Sequence, residues 1–561
     1  MRTALRTLLP EARGSRLLGA SALLGVLVGV AVAIFEYLTV EVVLHEVETL
    51  PLGVQALAPL VGLGLTAMIL RTLGNGCSPS TSDEYIKAYH MRTPSLPTRP
   101  VPARLLAGAA TIGFGGSLGL EGPSIYTGSS LGLVVQRRLE RWLGRGSAKL
   151  LLTAGAAAGV AAIFQAPATG VLFALESPYR DDLAHRALLP SLVASAAAYL
   201  TFVSVPFVHP EPLLGVVITG DVGAQELVGA VLIGVGAGLG GRAYASMVRR
   251  AKATASTTGP LVQVAIGGGI LGALAVVSNT LFDEPLSLGP GVGVVEWLDE
   301  ERSLALLLLL FVVRAAATFV TVGAGGAGGL FIPLAVQGVL LGRIVSAVLD
   351  EVGMTETPER IWPVLGLAAF LAAGYRTPIA AVMFVAESTA GGGSAVVPAL
   401  VAAAVSQLVA GRSSVAKGQQ VERRGHLEER ITLPLTAALT TDVLTVPSDA
   451  TVAEFVWNHA LGQRQRVVPV VDGRDYLGLC TVDACSALDR EAWTETSVAE
   501  VMLDDLPVAT PSWSLRDVLV AMDRHGVDVV AVVDDAEHFV GVVHEAEIVK
   551  LGQILADTGG A

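Results

Sequence analysis

Pro167-Ala-Thr-Gly-Val-Leu-Phe-Ala-Leu-Glu176-Ser177 aligns without a gap on Pro378-Ile-Ala-Ala-Val-Met-Phe-Val-Ala-Glu387-Ser388. Pro, Phe, Glu and Ser keep their register over the eleven positions. Upstream, Gly115-Gly-Ser-Leu-Gly-Leu-Glu121-Gly-Pro123 stands opposite Gly325-Gly-Ala-Gly-Gly-Leu-Phe-Ile-Pro333. Each half thus has a Gly-rich turn, a proline near a helix start and, about 45 residues on, a Pro-to-Glu segment. Paired short segments broken by Gly and Pro point to a duplicated membrane fold with its binding site between the halves.

The surrounding sequence supports a bilayer setting. Apolar runs long enough to span cover 17–35, 54–70, 188–207, 226–241, 261–278 and 303–322, against the roughly 20 residues a span needs. Shorter, interrupted stretches lie at 105–118, 150–164, 167–176, 329–342, 364–373 and 378–387. In lipid, broken helices survive only where their freed backbone groups are buried in protein or line a cavity. The first run is too long for a cleavable signal and no small-residue cleavage site follows it. Arg2, Arg6, Arg13 and Arg16 precede it, and Glu36, Glu41, Glu46 and Glu48 follow. The positive-inside rule then puts the N-terminus in the cytoplasm. Basic clusters at 92–104, 137–149, 249–252 and Arg423–Arg424 mark further cytoplasmic segments.

Composition agrees, once it is divided. Of the 561 residues 52% are apolar and 16% charged, well below the roughly one-quarter charged share of soluble domains. The net charge of −13 is uneven. Residues 431–561 hold 21 acidic and 7 basic residues, a net of −14, whereas the rest holds 29 and 30, a net of +1. This predicts a near-neutral membrane domain over 1–430 and an acidic soluble domain over 431–561. The overall acidity argues against nucleic acid as a partner. Three cysteines make no disulfide framework, and no Cys/His cluster has metal spacing.

The Gly-rich turns suggest an anion path. Glycine lets the backbone turn without a side chain, and proline is tolerated in the first helical turn. The amides that follow are unpaired and lie at the positive end of the helix dipole, which favours an anion. Glu121 stands among them. A carboxylate at membrane depth is costly and functional by default. At a helix start it can occupy the anion's own place and leave when protonated, which makes it a candidate gate and proton acceptor.

These residues carry a resemblance. Gly119-Leu-Glu121-Gly122-Pro123, Gly329-Leu330-Phe331-Ile-Pro333 and Gly155-Ala-Ala-Ala-Gly159 with Pro167 and Glu176 are similar to the CLC chloride channels and chloride/proton exchangers, over about residues 15–425. The resemblance implies an α-helical polytopic fold, an inverted repeat of tilted and broken helices. It implies a homodimer in the plasma membrane with one anion path per subunit and cytoplasmic termini. It implies no enzyme activity. Glu121 matches the family's external gate. The amides of Leu330 and Phe331 match its anion donors, with Gly119 and Gly122 in the facing turn. The family's inner serine falls near Ser80, with Asn75 in Gly74-Asn75-Gly76 as runner-up. Two departures stand out. Many exchangers have a second glutamate after the position of Glu176, on the internal proton route; here it is Ser177. The family's pore tyrosine is missing, and Ser413-Ser-Val-Ala-Lys417 occupies its region. The resulting expectation is transport of chloride or a similar small anion gated by Glu121. The alternative is a proton-coupled chloride or fluoride antiporter with a non-standard internal proton route.

The acidic tail has two similar halves, 431–490 and 497–555. Each runs helix, apolar strand (Val467–Asp472; Val529–Asp534), acidic turn, apolar strand (Tyr476–Thr481; Phe539–His544). Parallel apolar strands with intervening helices predict an α/β sandwich. The pattern resembles a tandem of cystathionine-β-synthase (CBS) domains. Such pairs often bind adenine nucleotides, which here would fall to Thr481, Asp483 and Glu547. Neither ribose-binding motif is complete, so structural use is the stronger expectation. Two other classes fail on sequence. An intramembrane metalloprotease needs His-Glu-x-x-His, and His45-Glu46-Val-Glu-Thr49 lacks the second histidine. A divalent-cation transporter needs an acid-lined path, and Glu121, Glu176 and Glu387 are too few.

Overall fold

The computed structural model describes residues 9–91, 93–208, 223–351, 353, 361–389, 393–421, 433–462 and 465–551. Arg2, Arg6 and Arg423–Arg424 lie outside them. The chain separates into two compact units, Met1–Arg423 and Arg424–Ala561.

Among the described residues, seven helices of the first unit are long and apolar enough to cross a membrane: Gly14–Glu48, Leu52–Thr72, His185–Val203, Gln225–Ala255, Pro260–Phe282, Leu304–Gly323 and Phe331–Glu351. Six take up the six long apolar runs. The seventh corrects the sequence reading, which expects only a short broken piece over 329–342. Gly338 and Gly342 do not break this helix. They seat it on its neighbour: a Cβ at Gly338 would lie 2.4 Å from the Gly366 carbonyl oxygen, and one at Gly342 2.1 Å from that of Trp362. Shorter apolar helices span Val101–Gly113, Ala148–Phe164, Pro167–Glu176, Ile361–Tyr375 and Pro378–Ser388.

The duplication is visible as paired contacts at a nearly constant offset. Gly128 and Gly155 cross so closely that a Cβ on either would fall 2.0 Å from the other's carbonyl oxygen. The second half repeats the crossing with Gly338 and Gly366. Gly115 and Gly325 both turn with positive φ, 89° and 78°. The halves also exchange hydrogen bonds. Thr111 Oγ1 accepts the Ala327 amide at 3.0 Å, and Thr321 Oγ1 accepts the Ser117 amide at 3.1 Å. Each of these partners lies 210 residues from its counterpart, Thr111 to Thr321 and Ser117 to Ala327. A pseudo-two-fold relation between inverted halves produces this reciprocity, in which residue i meets j' and j meets i'.

The second unit is built on two hairpins. Val467–Asp472 pairs antiparallel with Asp475–Thr481, and Val529–Val533 pairs antiparallel with Phe539–His544. This corrects the expectation of parallel strands. A connection of two residues, Gly473 and Arg474, can join only antiparallel neighbours. Among the described residues of this unit, parallel pairing is confined to Val508–Ala509 against Ala531–Val532 and to the bridge Val446–Val470. The halves also trade edges. Leu439–Thr440, ahead of the first hairpin, pairs with Val542–Val543 of the second. Leu503, near the start of the second half, exchanges both backbone hydrogen bonds with Leu479 of the first. The sequence boundaries 431–490 and 497–555 therefore do not separate two self-contained sheets.

Candidate functional site: two Gly-rich turns around Glu121

Gly119 and Gly329 join the halves at the centre of the membrane unit. The Gly119 amide donates to the Gly329 carbonyl at 2.9 Å, and the Gly329 amide returns a bond to Gly119 at 2.7 Å. Each turn then opens a helix, Glu121–Arg138 and Phe331–Glu351. Glu121 and Phe331 are thus equivalent positions, 210 residues apart, and they meet. Glu121 Oε1 accepts the Phe331 amide at 2.6 Å. The carboxyl group is fully buried and Oε2 has no protein partner.

Glycine is required on both sides of this carboxylate by close approach. A Cβ at Gly119 would lie 2.1 Å from Oε2, and one at Gly329 1.9 Å from Oε1. Gly122 has the same constraint from another side, since its Cβ would meet Thr81 Oγ1 at 2.4 Å and the Gly328 carbonyl at 3.0 Å. The Leu330 amide is also engaged, donating to the Tyr375 hydroxyl at 3.3 Å. Both backbone amides singled out from the sequence therefore carry oxygen acceptors from side chains of this chain.

Tyr375 is the residue that sequence reasoning misses. It ends the helix Ile361–Tyr375 and is 3% exposed. Its phenol stands near the Ser82 side chain and within electrostatic reach of the Glu121 and Asp83 carboxylates. The expected loss of a pore phenol thus describes one chain segment and not the site, because another helix supplies a phenol there. The hydroxyls near it also differ from those expected. Thr81 Oγ1 is buried, partnerless and against Gly122, and Ser82 lies near Tyr375. Ser80 does not join them: its hydroxyl donates to Asp83 at 3.0 Å. Asn75 is exposed in a left-handed turn, φ 50°.

An aromatic cluster packs around Phe331. Phe331 packs on Phe164, Phe173 and Phe384, with ring centroids 4.4, 5.6 and 5.1 Å away. Phe173 and Phe384 are the matched phenylalanines of the two Pro-to-Glu segments.

Glu176 takes a position determined by the duplication. Its oxygens accept the amides of Ile379 and Ala380 at 3.1 and 2.7 Å, at the start of the helix Pro378–Ser388. Glu387 does the same for the helix Pro167–Glu176, accepting Ala168 N, Thr169 N and Thr169 Oγ1 at 2.7–2.8 Å. A carboxylate at a helix N-terminus satisfies free amides and opposes the positive end of the dipole. Ser177 follows with a buried, partnerless hydroxyl.

In the second unit, Thr481 caps the helix Val482–Ser486 by accepting the Ala484 amide at 3.1 Å. Asp483 forms an exposed pair with Arg466 at 3.3 Å, and Glu547 pairs with Lys550. No group of three or more potential metal ligands occurs among the described residues.

An inverted repeat of membrane helices, with half-helix N-termini converging on one buried carboxylate, defines a polytopic membrane protein with a protein-lined path at its centre. The chain belongs to the voltage gated chloride channel (CLC) family, whose model matches residues 62–411. A CBS-domain model matches residues 498–553. The H(+)/Cl(−) exchange transporters ClcA of Salmonella paratyphi A and Salmonella typhimurium strain LT2 are each 28% identical, over 295 and 297 residues, 52% of this chain. The chain spans 62% of the length of these relatives. A crystal structure of a CLC-type fluoride/proton antiporter matches at TM-score 0.61 and 22% identity, covering 72% of this chain and 98% of that one. A eukaryotic CLC transporter matches at TM-score 0.58 and 17% identity, covering 95% and 98%.

Proposed function

We propose that the protein exchanges a small anion, chloride or a similar ion, for protons, with Glu121 as both gate and proton carrier. The observation that carries this is the bond from the Phe331 amide to Glu121 Oε1 at 2.6 Å. A carboxylate and a transported anion compete for the same donors, so only one can hold them. Protonation of Glu121 cancels its charge and weakens a charge-assisted hydrogen bond to a neutral one. The acid then yields the amides of Leu330 and Phe331 to the incoming anion, with the hydroxyls of Tyr375, Ser82 and Thr81 as further donors. When the anion leaves, the deprotonated carboxylate returns. The Salmonella relatives, named as H(+)/Cl(−) exchange transporters, favour coupled exchange over a simple channel. The serine at position 177 is the one feature favouring a channel. A homodimer with an independent path in each subunit, as the family resemblance implies, belongs to this reading.

The test is the reversal potential of the reconstituted protein under combined chloride and pH gradients. Coupled exchange displaces it from the chloride equilibrium potential in proportion to the pH gradient. A potential that follows chloride alone, whatever the pH gradient, overturns the exchange reading in favour of a channel.

We infer a structural and regulatory role for the CBS pair, at the cytoplasmic side. Adenine-nucleotide binding would require the Thr481 cap and the Asp483–Arg466 pair to open. Calorimetric titration of the full chain with ATP decides it, and heat that saturates at submillimolar nucleotide would overturn the structural reading.

A further inference from the structure

A second line of polar groups leaves the Glu121 site, and it ends on a histidine. Gln419 is buried, and its Nε2 donates to the Tyr375 carbonyl at 2.9 Å and to the Ser177 carbonyl at 3.0 Å. Its Oε1 has no partner, and neither does the Ser177 hydroxyl. Both residues are more than nine-tenths buried. Buried polar atoms without protein partners call for ordered water, and here two such atoms stand along one connection. The next residue, Pro178, accepts at its carbonyl from His90 Nε2 at 2.7 Å. Hydrogen bonds therefore run from the Tyr375 carbonyl through Gln419 to the Ser177 carbonyl, and Pro178, next in the chain, holds His90.

His90 closes the short helix Ser82–His90 and is half-buried. The rings of Tyr89 and Tyr179 meet it edge-on, each centroid at 5.3 Å. Lys149 is the charged group acting on it. A carbonyl only accepts, so Nε2 carries a hydrogen and proton exchange falls to Nδ1. Imidazole is the side chain whose ordinary titration lies nearest neutral pH. Aspartate or glutamate could serve the same end, but Glu176 has both oxygens bound to amides.

We propose that His90 is the inner proton-exchange group, with the Ser177 hydroxyl and Gln419 Oε1 holding the water that connects it to the Glu121 site. The proposal rests on the coupled-exchange reading and names its inner terminus. Protons enter from the inner solution at Nδ1, pass along water at Ser177 and Gln419, and reach Glu121. The missing carboxylate at position 177 is thereby replaced by a base on a neighbouring helix.

The experiment reconstitutes the full chain in vesicles and records anion efflux and proton uptake together. Wild-type protein moves protons against their gradient when chloride drives it. In His90→Gln, which keeps a donor for the Pro178 carbonyl, proton movement falls by roughly a hundredfold, the low end of what a lost proton-transfer group costs. The dependence of coupling on inner pH flattens, and anion efflux falls far less. Ser177→Glu added to His90→Gln restores proton movement. Ser177→Ala, which removes only one oxygen, lowers coupling without relying on the folding of the histidine variant. An unchanged proton-to-anion ratio and inner-pH profile in both single variants overturns the role of His90 and leaves coupled exchange standing. No proton movement in the wild type overturns both.

Discussion

Glu176 and Glu387 each cap the helix that the other one ends. Glu176 accepts the amides of Ile379 and Ala380, and Glu387 those of Ala168 and Thr169. Two antiparallel helices, 167–176 and 378–388, are tied end to end by this exchange, with no cation involved. Glu387→Gln loses the charge-assisted part of three hydrogen bonds and destabilises the membrane unit by about 1.5–3 kcal/mol. A lowered thermal midpoint in detergent, together with a double-mutant cycle against Glu176→Gln, measures it. An unchanged midpoint would show that the caps contribute nothing.

Glu121→Gln removes the titrating group at the gate and keeps its size. Anion movement should persist and lose its dependence on pH, while proton movement falls to the level of protein-free vesicles. Parallel chloride-electrode and pH-electrode recordings check both. Pumping of protons by this variant would be incompatible with the proposed role of Glu121.

Gly329→Ala places a methyl group 1.9 Å from Glu121 Oε1. The carboxylate must leave the Phe331 amide, so anion flux should become insensitive to pH although Glu121 is intact. Gly269→Ala is the control, because a Cβ there meets nothing within 4 Å. The same flux assay separates them: equal pH profiles for the two variants would mean that the contact with Gly329 does not hold the gate.

Tyr375→Phe removes a hydroxyl that accepts the Leu330 amide here and, in the proposed anion-bound state, donates to the anion. Loss of one such bond costs about 1 kcal/mol, roughly a fivefold weaker anion affinity. Calorimetric titration of chloride reads it directly, and unaltered affinity would place the phenol outside the anion site.

The CBS unit should lose stability in two steps on acidification. Burial holds the His544 ring below its ordinary value of 6.5, with Lys550 adding to this and Glu547 opposing it. A base depressed in the folded state favours unfolding when it protonates, so stability falls as pH drops through 6.5 towards the folded value. The Asp472, Asp517 and Asp534 carboxylates lie below their ordinary 3.8, chiefly through hydrogen bonds from Ser448, Ser514 and the His538 amide. Their contribution is present above 3.8 and is lost as pH falls below it. Hydrogen-exchange protection of the strands Val529–Val533 and Phe539–His544 in the full chain, relative to the intrinsic rate at each pH, should fall in the first window and again in the second. Protection that is flat from pH 7 to 5 would remove His544 from this account.

Local pattern made much of this legible. A run of about 20 apolar residues can satisfy its backbone in lipid only as a helix, so six spans stand in the sequence by themselves. Glycine next to a lone glutamate announces a backbone that must come close to something charged. What it comes close to is not legible, because the partner of Glu121 is Phe331, 210 residues away. Gly338 and Gly342 misled for the same reason: glycine breaks a helix in isolation and seats one against a neighbouring backbone. In the tail, the apolar strands were readable, but their antiparallel pairing was misread, and the traded edges, Leu439–Thr440 and Leu503, were not legible, since such short edges carry no periodicity.

From its sequence alone the chain is a duplicated membrane domain with one intramembrane gate candidate and an acidic CBS-type tail, because hydropathy, charge and internal repetition are properties of the chain itself. Only the tertiary structure decided which hydroxyls lie near the gate, that Tyr375 supplies a phenol from another helix, that Glu176 is bound as a cap, and that His90 bonds the Pro178 carbonyl. Each of these is a hydrogen bond or ring contact between segments distant in sequence, and the inverted packing of the two halves is what brings them together.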